Sequence, residues 1–401
     1  MTFREVFALP EFLGLWVAYV LSVAGDQFAR VALSLLVYDR TGSAWLAALT
    51  YAMTFIGDLV GGVVLGGWAD RLPRRRLMVV TDLLRAVLVG LMAVPGQSIA
   101  LMILLLFLVQ VAAGPFNSAR LAIMPSILSG DRLEVGNSVM QTTFQIGLVA
   151  GYPLGAVVVT WLGAEGALAI DAVTFLVSAA LIAAFVTERR AEQAESRRPP
   201  TTWSTITGGA RVVWGNHKLR ALLALACVSG FYIAPEGLVV PYADQIGAST
   251  AAVGLLLAAN PLGSVIGMLF LARFVTADTR LRLLAPLAVA TSLVLLPTAL
   301  APGIAWSLVW WTLAGLFSAH DMITLSTYQR NVPDHVRGQA LGFAAAGIRG
   351  AQGIGVLLTG ALAELVPPAQ VIGLSAAAGV LAAVLAARAW QHATTPTPDQ
   401  R

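Results

Sequence analysis

Six acids stand inside long apolar runs of this sequence: Asp26, Asp58, Asp82, Asp171, Glu236 and Asp321. Asp26 is followed four residues later by Arg30, one helical turn away and placed for an ion pair. Asp82 precedes Arg85, His320 adjoins Asp321, and Glu236 follows Pro235 with Tyr232 one turn earlier. Charge in hydrocarbon is expensive, so such groups pair with one another or face a cavity, where they can bind and release protons. Burial disfavours a charged carboxylate and a nearby cation favours it, so Asp26–Arg30 is either a structural pair or one that breaks on protonation. Pro235 frees backbone carbonyls and bends its helix, which leaves Glu236 well placed to meet a proton or a cationic substrate. The His320 imidazole could relay protons or simply pack. Asp82 and Arg85, near the end of their run, are expected to pair with the basic loop that precedes them. The coupling candidates are therefore Asp26, Arg30, Glu236, His320 and Asp321.

The elements that must hold these side chains are mostly hydrocarbon. Of 401 residues, 58% are hydrophobic and 11% charged, and the mean hydropathy of +0.79 does not describe a soluble chain. A spanning helix takes about 20 apolar residues, so a dozen would use roughly 240 positions and leave short loops. No stretch outside the runs is long enough to bury its own core, which excludes a large water-soluble catalytic domain. The formal charge is +4, but the basic residues are scattered through short loops, so no nucleic-acid partner is expected. The lone Cys227 excludes intrachain disulfides and multi-cysteine metal sites. The only lysine, Lys218, follows His217, so no phosphate-binding loop ends in Lys-Ser or Lys-Thr, and the His-Glu-x-x-His and Gly-x-Ser-x-Gly patterns are missing. An enzyme, a resident metal and a cofactor are all unexpected, and energy must come from a gradient. Met1 to Glu11 precedes a run too long for a signal-peptide core, so the first run reads as a retained span.

Apolar segments fall near 12 to 37, 44 to 68, 77 to 94, 99 to 118, 136 to 162, 166 to 186, 219 to 241, 251 to 275, 281 to 300, 304 to 325, 340 to 363 and 369 to 390. They are continuously apolar and twice the length of a barrel strand, which predicts twelve transmembrane helices in an all-α integral membrane protein. With both termini placed in the cytoplasm, 21 of the 25 basic residues lie inside and only Arg40 outside, as the positive-inside bias requires. Arg30, Arg85 and Arg349 lie within spans. The expected location is the plasma membrane.

The longest polar interval mixes charges from Glu188 to Arg198 and then carries Pro199-Pro200. It divides the chain into an N-terminal six-helix bundle at 1–190, a cytoplasmic linker at 191–216, a C-terminal six-helix bundle at 217–390 and a tail at 391–401. Trp203 to Trp214 could form a short interfacial helix. The halves echo each other: Arg120, Pro125, Asp131 and Arg132 after span four recur as Arg330, Pro333, Asp334 and Arg337 after span ten. Such pseudo-symmetry is common in secondary transporters.

The loop between spans two and three reads Gly66-Gly67-Trp68-Ala69-Asp70-Arg71-Leu72-Pro73-Arg74-Arg75-Arg76-Leu77. It resembles the loop motif of the major facilitator superfamily, with Pro73 where the family usually has Gly. The resemblance implies the major facilitator fold of two six-helix bundles and a loop that steadies the outward-facing state. Gly66, Asp70, Arg71 and Arg74 are then a conformational latch, with Asp82 and Arg85 beside it, while Arg75 and Arg76 need no role beyond topology. Gly147, Gly151, Pro153 and Gly155 bare one face of span five for close helix packing and partly resemble the fifth-helix motif of proton-exchanging exporters, with Ala156 in place of a closing glycine. Asp82 to Arg85, Gly114 to Pro125, Asp171 to Phe175 and Tyr328 to Gly342 resemble the drug and siderophore exporter branch that includes macrolide efflux proteins and enterobactin exporters. Many proton-antiporting relatives carry an arginine in the fourth span, where this chain has Gln110 and Gly114.

Two functions fit. One is proton-coupled export of a small amphipathic organic compound by alternating access, the compound meeting Trp16, Tyr19, Phe144, Phe231 and Tyr232. The other is a proton symporter importing a small nutrient on the same scaffold, for which few polar cavity positions are at hand, mainly Asn117, Gln141, Gln145, Asn260 and Gln352. In either case the expected partners are the small molecule, protons and the lipid bilayer, and the protein is expected to act as a monomer.

Overall fold

The computed structural model describes residues 3–189 and 202–394, apart from a few side chains that include Asp70. The described residues are helical, without a strand. A short α1, Phe3–Phe7, leads into α2, Pro10–Thr41, which opens with Pro at its first position and closes on Gly42 at φ 63°. Ser43 caps α3, Ala44–Val60, by accepting from the Leu46 amide at 3.1 Å. This helix runs on through a π turn, Gly61–Leu65, and a 3-10 turn, Gly66–Asp70. Then follow α4, Arg74–Met92, and α5, Ile99–Ile127, whose cap Ser98 accepts from Leu101. The 55-residue α6, Asp131–Phe185, breaks at Gly163, where φ 75° and ψ 174° suit glycine alone, and so supplies both the fifth and the sixth expected segments.

After α7, Thr202–Trp214, the seventh segment is helix with turns at Val228 and Ile233, both still right-handed helical, and a break at Leu238, φ −108° and ψ 12°. It is the series α8 His217–Cys227, α9 Ser229–Tyr232, α10 Ala234–Gly237 and α11 Val239–Gln245. Pro241 lacks the amide hydrogen that would reach the Gly237 carbonyl, beside the break at Leu238. The remainder comprises α12 Thr250–Phe274, α13 Ala277–Leu293 with a 3-10 turn at Leu296–Leu300, α14 Ile304–Ser318, α15 His320–Asn331, α16 Arg337–Ala363 and α17 Pro368–Thr394.

Nine helices among the described residues are long and apolar enough to cross a membrane, the two arms of α6 counted together as one. Each of the twelve expected segments falls on helix. Two of them escape the nine for visible reasons: α4 carries Arg74, Arg75, Arg76, Asp82 and Arg85, and the tenth segment is jointed between Ser318 and His320. Trp161, Leu300 and Leu365 are 81%, 82% and 84% exposed, as suits a surface solvated by lipid rather than water. The chain is a multi-pass membrane protein.

It forms two compact units, 1–198 with 249–258, and 199–248 with 259–401. The expected linker at 191–216 and tail at 391–401 lie partly outside the described residues. Within each unit the same two seams are built from bare backbone. In the first, Gly147, Gly151 and Gly155 press α6 onto α2, where a Cβ at Gly151 would lie 2.8 Å from Gln27 Cγ and one at Gly155 3.1 Å from Phe28 Cα. Gly61 and Gly114 bring the end of α3 against α5, a Cβ on Gly61 reaching 2.9 Å from the Val111 carbonyl carbon. In the second unit, a Cβ on Gly355 would stand 2.7 Å from the Gly230 carbonyl carbon, and Gly263 and Gly315 meet the backbones of α14 and α12. An arginine at Gly114 would have no room, because α3 and α5 touch there main chain to main chain.

Adding one methyl at these seams forces two backbones apart, at a typical cost of about 1–3 kcal/mol. Gly61→Ala and Gly263→Ala should each lower the thermal unfolding midpoint of the detergent-solubilised protein. Gly350→Ala, where nothing lies within 4 Å, should leave it unchanged or raise it slightly.

Candidate functional site

In the first unit, three helical stripes converge on one guanidinium. Ser22 and Asp26 lie one turn apart on α2, and Asp82 and Arg85 one turn apart on α4. Asp171, Thr174, Phe175 and Ser178 follow helical spacing on α6. Arg85 is 3% exposed, and its Nη2 donates to both Asp26 oxygens at 2.9 and 3.1 Å. Its Nη1 lies 3.7 Å from Asp82 Oδ1 and 3.5 Å from Ser22 Oγ, and the Phe175 ring backs it at 4.0 Å. Asp82 is fully buried and accepts from Ser178 Oγ at 2.6 Å. Asp171, equally buried, lies against the bare α2 backbone at Gly25 and contacts Thr174 Oγ1 at 3.3 Å.

This arrangement corrects two expectations. Asp26 pairs with Arg85 from another helix rather than with Arg30 on its own, because Arg30 turns towards α6 and donates to the Tyr152 hydroxyl at 3.4 Å. Asp82 and Arg85 do not pair with the basic loop. One turn apart on α4, both face inward to α2 and α6. Asp171, missing from the coupling candidates, was marked by the polar stripe running from it to Ser178. Asp58 is half-buried on α3 and stands outside the cluster.

The loop that leads into α4 is tied to helix ends. Arg74 Nη1 donates to the Ala122 carbonyl at 2.8 Å, joining the start of α4 to the last turns of α5. A Cβ on Gly66 would stand 3.2 Å from Ser118 Oγ. Arg71 is exposed, and the Asp70 side chain lies outside the described residues. Arg75 and Arg76 do more than mark topology: Arg75 donates to the Ala183 carbonyl, and Arg76 Nε meets Glu188 at 2.7 Å. Those contacts draw the end of α6 to the start of α4.

In the second unit, the Tyr232 hydroxyl donates to Asp321 Oδ2, and its ring meets the His320 ring edge-on at 6.3 Å. His320 is fully buried. Its Nδ1 lies 3.1 Å from the Phe317 carbonyl, which can only accept, so Nδ1 carries a hydrogen there. Nε2 lies 3.4 Å from Asp321 Oδ1, and neither of these buried atoms has a hydrogen-bond partner among the described residues. Glu236 is half-buried, and its charge acts on the Tyr232 phenol. A cavity of about 130 Å³ beside Asp321 is bordered by Ser229, Thr324, Tyr328 and Gln352.

Of the expected cavity aromatics, Trp16, Tyr19 and Phe144 share one hydrophobic cluster of the first unit. Trp16 donates to Thr143 Oγ1 at 2.8 Å and packs on Phe7. Arg120 lies over the Tyr19 ring at 4.2 Å, and Phe144 borders the same hydrophobic cluster. Phe231 lies against Gly379 of α17, and its carbonyl accepts from Ser375.

Removing one member of a buried ion pair leaves the other uncompensated and typically costs about 3–5 kcal/mol. Arg85→Leu should therefore unfold at a markedly lower temperature than the parent in detergent. The double change Arg85→Leu with Asp26→Asn should recover part of that loss, and a thermal melt of the four proteins measures the coupling.

Comparison with known proteins follows the same lines. The profile of the Major Facilitator Superfamily matches residues 15–242 and 237–401. The chain is 26% identical over 366 residues to the multidrug efflux pump Tap of Mycobacterium tuberculosis, covering 88% of this chain and 87% of the pump. It is 33% identical over 164 residues to the putative bacilysin exporter BacE of Bacillus amyloliquefaciens, 40% of this chain and 41% of that one. Among solved structures, a bacterial homologue of the human lysosomal transporter Spinster superposes with a TM-score of 0.75 at 14% identity, over 97% of both chains. With the whole span matched by the family profile and the fold shared end to end, this chain belongs to the Major Facilitator Superfamily and is a transporter.

Proposed function

We propose that the protein is a secondary active exporter of a small amphipathic organic compound, working by alternating access and proton antiport. The likeness to the efflux pump Tap along most of both chains supports export. The observation that carries proton coupling is the His320–Asp321 contact, an imidazole and a carboxylate 3.4 Å apart whose facing atoms are buried and have no hydrogen-bond partner among the described residues. Tyr232 fixes the other Asp321 oxygen and holds the carboxylate towards the imidazole. The neighbouring cavity, with one carboxylate among hydroxyl and amide groups, offers a place where an amphipathic compound and a proton would compete.

In this reading Asp321 and His320 bind the proton, Glu236 and Asp26 contribute charge to the path, and Arg30 steadies Tyr152. The loop around Gly66, Asp70, Arg71 and Arg74 acts as a latch whose helix-end contacts form in one conformation and break in another. Both termini lie in the cytoplasm, and the protein works as a monomer in the plasma membrane.

Everted membrane vesicles loaded with the parent protein should accumulate ethidium, used as an amphipathic probe, only while a proton gradient is held. Uptake that survives collapse of the gradient by a protonophore would contradict antiport. Asp321→Asn should cut the proton-dependent uptake about tenfold or more, equivalent to about 1.4 kcal/mol at the coupling step. Glu236→Gln should leave measurable coupling.

A further inference from the structure

Asp171, a buried acid of the first unit, has no part in the coupling described above. Asp171 lies on the sixth span, 1% exposed, and the charged groups acting on it are Asp26 from α2 and Asp82 and Arg85 from α4. Arg85 is already committed to Asp26 at 2.9 Å and to Asp82 at 3.7 Å. Among the described residues no cation lies within ion-pair distance of Asp171, and its Oδ2 has no hydrogen-bond partner. An ionised carboxylate in that position would sit unpaired and desolvated beside two others, which disfavours the charged form.

The Thr174 hydroxyl points to the remedy. It has one hydrogen, and its shorter contact, 2.7 Å, is to the Asp171 backbone carbonyl, which can only accept. With that hydrogen used, the 3.3 Å contact between Thr174 Oγ1 and Asp171 Oδ1 closes as a hydrogen bond when the carboxyl supplies the hydrogen. Gly25 leaves room for this carboxyl on the α2 backbone, where any Cβ would collide with Oδ1.

We propose that Asp171 is a proton-binding site of the first unit, occupied while Arg85 is held by Asp26 and Asp82. Asp26 is the most accessible of the three acids, its side chain 21% exposed, so whatever loosens its hold frees Arg85. The guanidinium then turns towards Asp171, and the proton leaves to water. Arg85 is the positioning residue, and Asp171 holds the exchanged proton. This places a second proton site beside that of Asp321 and rests on the proton-antiport reading for its use in transport, though not for its existence.

The test is the carbonyl stretch of a protonated carboxylic acid in the infrared spectrum of the purified full-length protein in detergent, identified by its shift in heavy water. At neutral pH the parent should show a band component that Asp171→Asn removes, that Asp26→Asn weakens because Arg85 is then free to turn, and that Glu236→Gln in the second unit retains. Because an amide is isosteric with a neutral carboxyl, Asp171→Asn should also melt no lower than the parent at neutral pH. Raising the pH should lower the parent's melting temperature more than the variant's, since deprotonation would place a third charge in the cluster. A carboxyl region unchanged by Asp171→Asn would overturn the proposal, as would a variant that fails to fold, because a neutral isostere should be accepted. A band removed by Asp171→Asn in a protein whose ethidium uptake ignores the proton gradient would support the site and retire antiport.

Discussion

One guanidinium shared among acids is the constraint on which the first unit depends. Arg85 and Asp82 are buried while Asp26 keeps an accessible edge, and the guanidinium must satisfy both acids from a single planar fork. Such a site has only a few acceptable charge states, since each lost pair leaves a buried charge. Asp26 comes from α2, Asp82 and Arg85 from α4 and Asp171 from α6, so the charge state and the mutual packing of three helices are linked. A change of proton or ligand at one acid therefore bears on helix position, as a transporter requires.

The glycine seams supply the complementary property, surfaces on which helices meet without interlocking side chains. In both units they join corresponding spans: the first to the fifth and the second to the fourth, the seventh to the eleventh and the eighth to the tenth. The close approach also explains why position 114 is glycine where many proton-antiporting relatives carry arginine. The seventh span sets Tyr232 against Asp321, with Glu236 one turn further along the same helix.

Much of this was legible in the sequence because hydrocarbon imposes simple rules. Apolar runs gave the helices, Gly163 fell in the expected break between two of them, and the loop from Gly66 to Leu77 carried the family. Partners were harder. Asp26 and Arg30 have the spacing of an ion pair, yet four-residue spacing says only that two side chains share a face, not that they turn to each other. The choice of Arg85 over Arg30 depends on where α4 and α6 lie, which is tertiary information. Asp171 was visible as an intramembrane acid and its stripe to Ser178 had helical spacing, but only the packed helices show that its nearest cation is already engaged. The break in span seven could be read from Pro241, whereas Pro235 alone suggested no more than a bend.

The account stands or falls on opposed movement of protons and substrate. The most direct measurement uses proteoliposomes that enclose a pH-sensitive dye, clamped at zero membrane potential, with an outwardly directed ethidium gradient and no initial pH difference. Antiport predicts that ethidium leaving the vesicles drives protons inwards and acidifies the lumen, and that Arg85→Leu abolishes the acidification. A lumen that turns alkaline would mean symport, and one that stays constant while ethidium leaves would mean transport without proton coupling; either result contradicts the account.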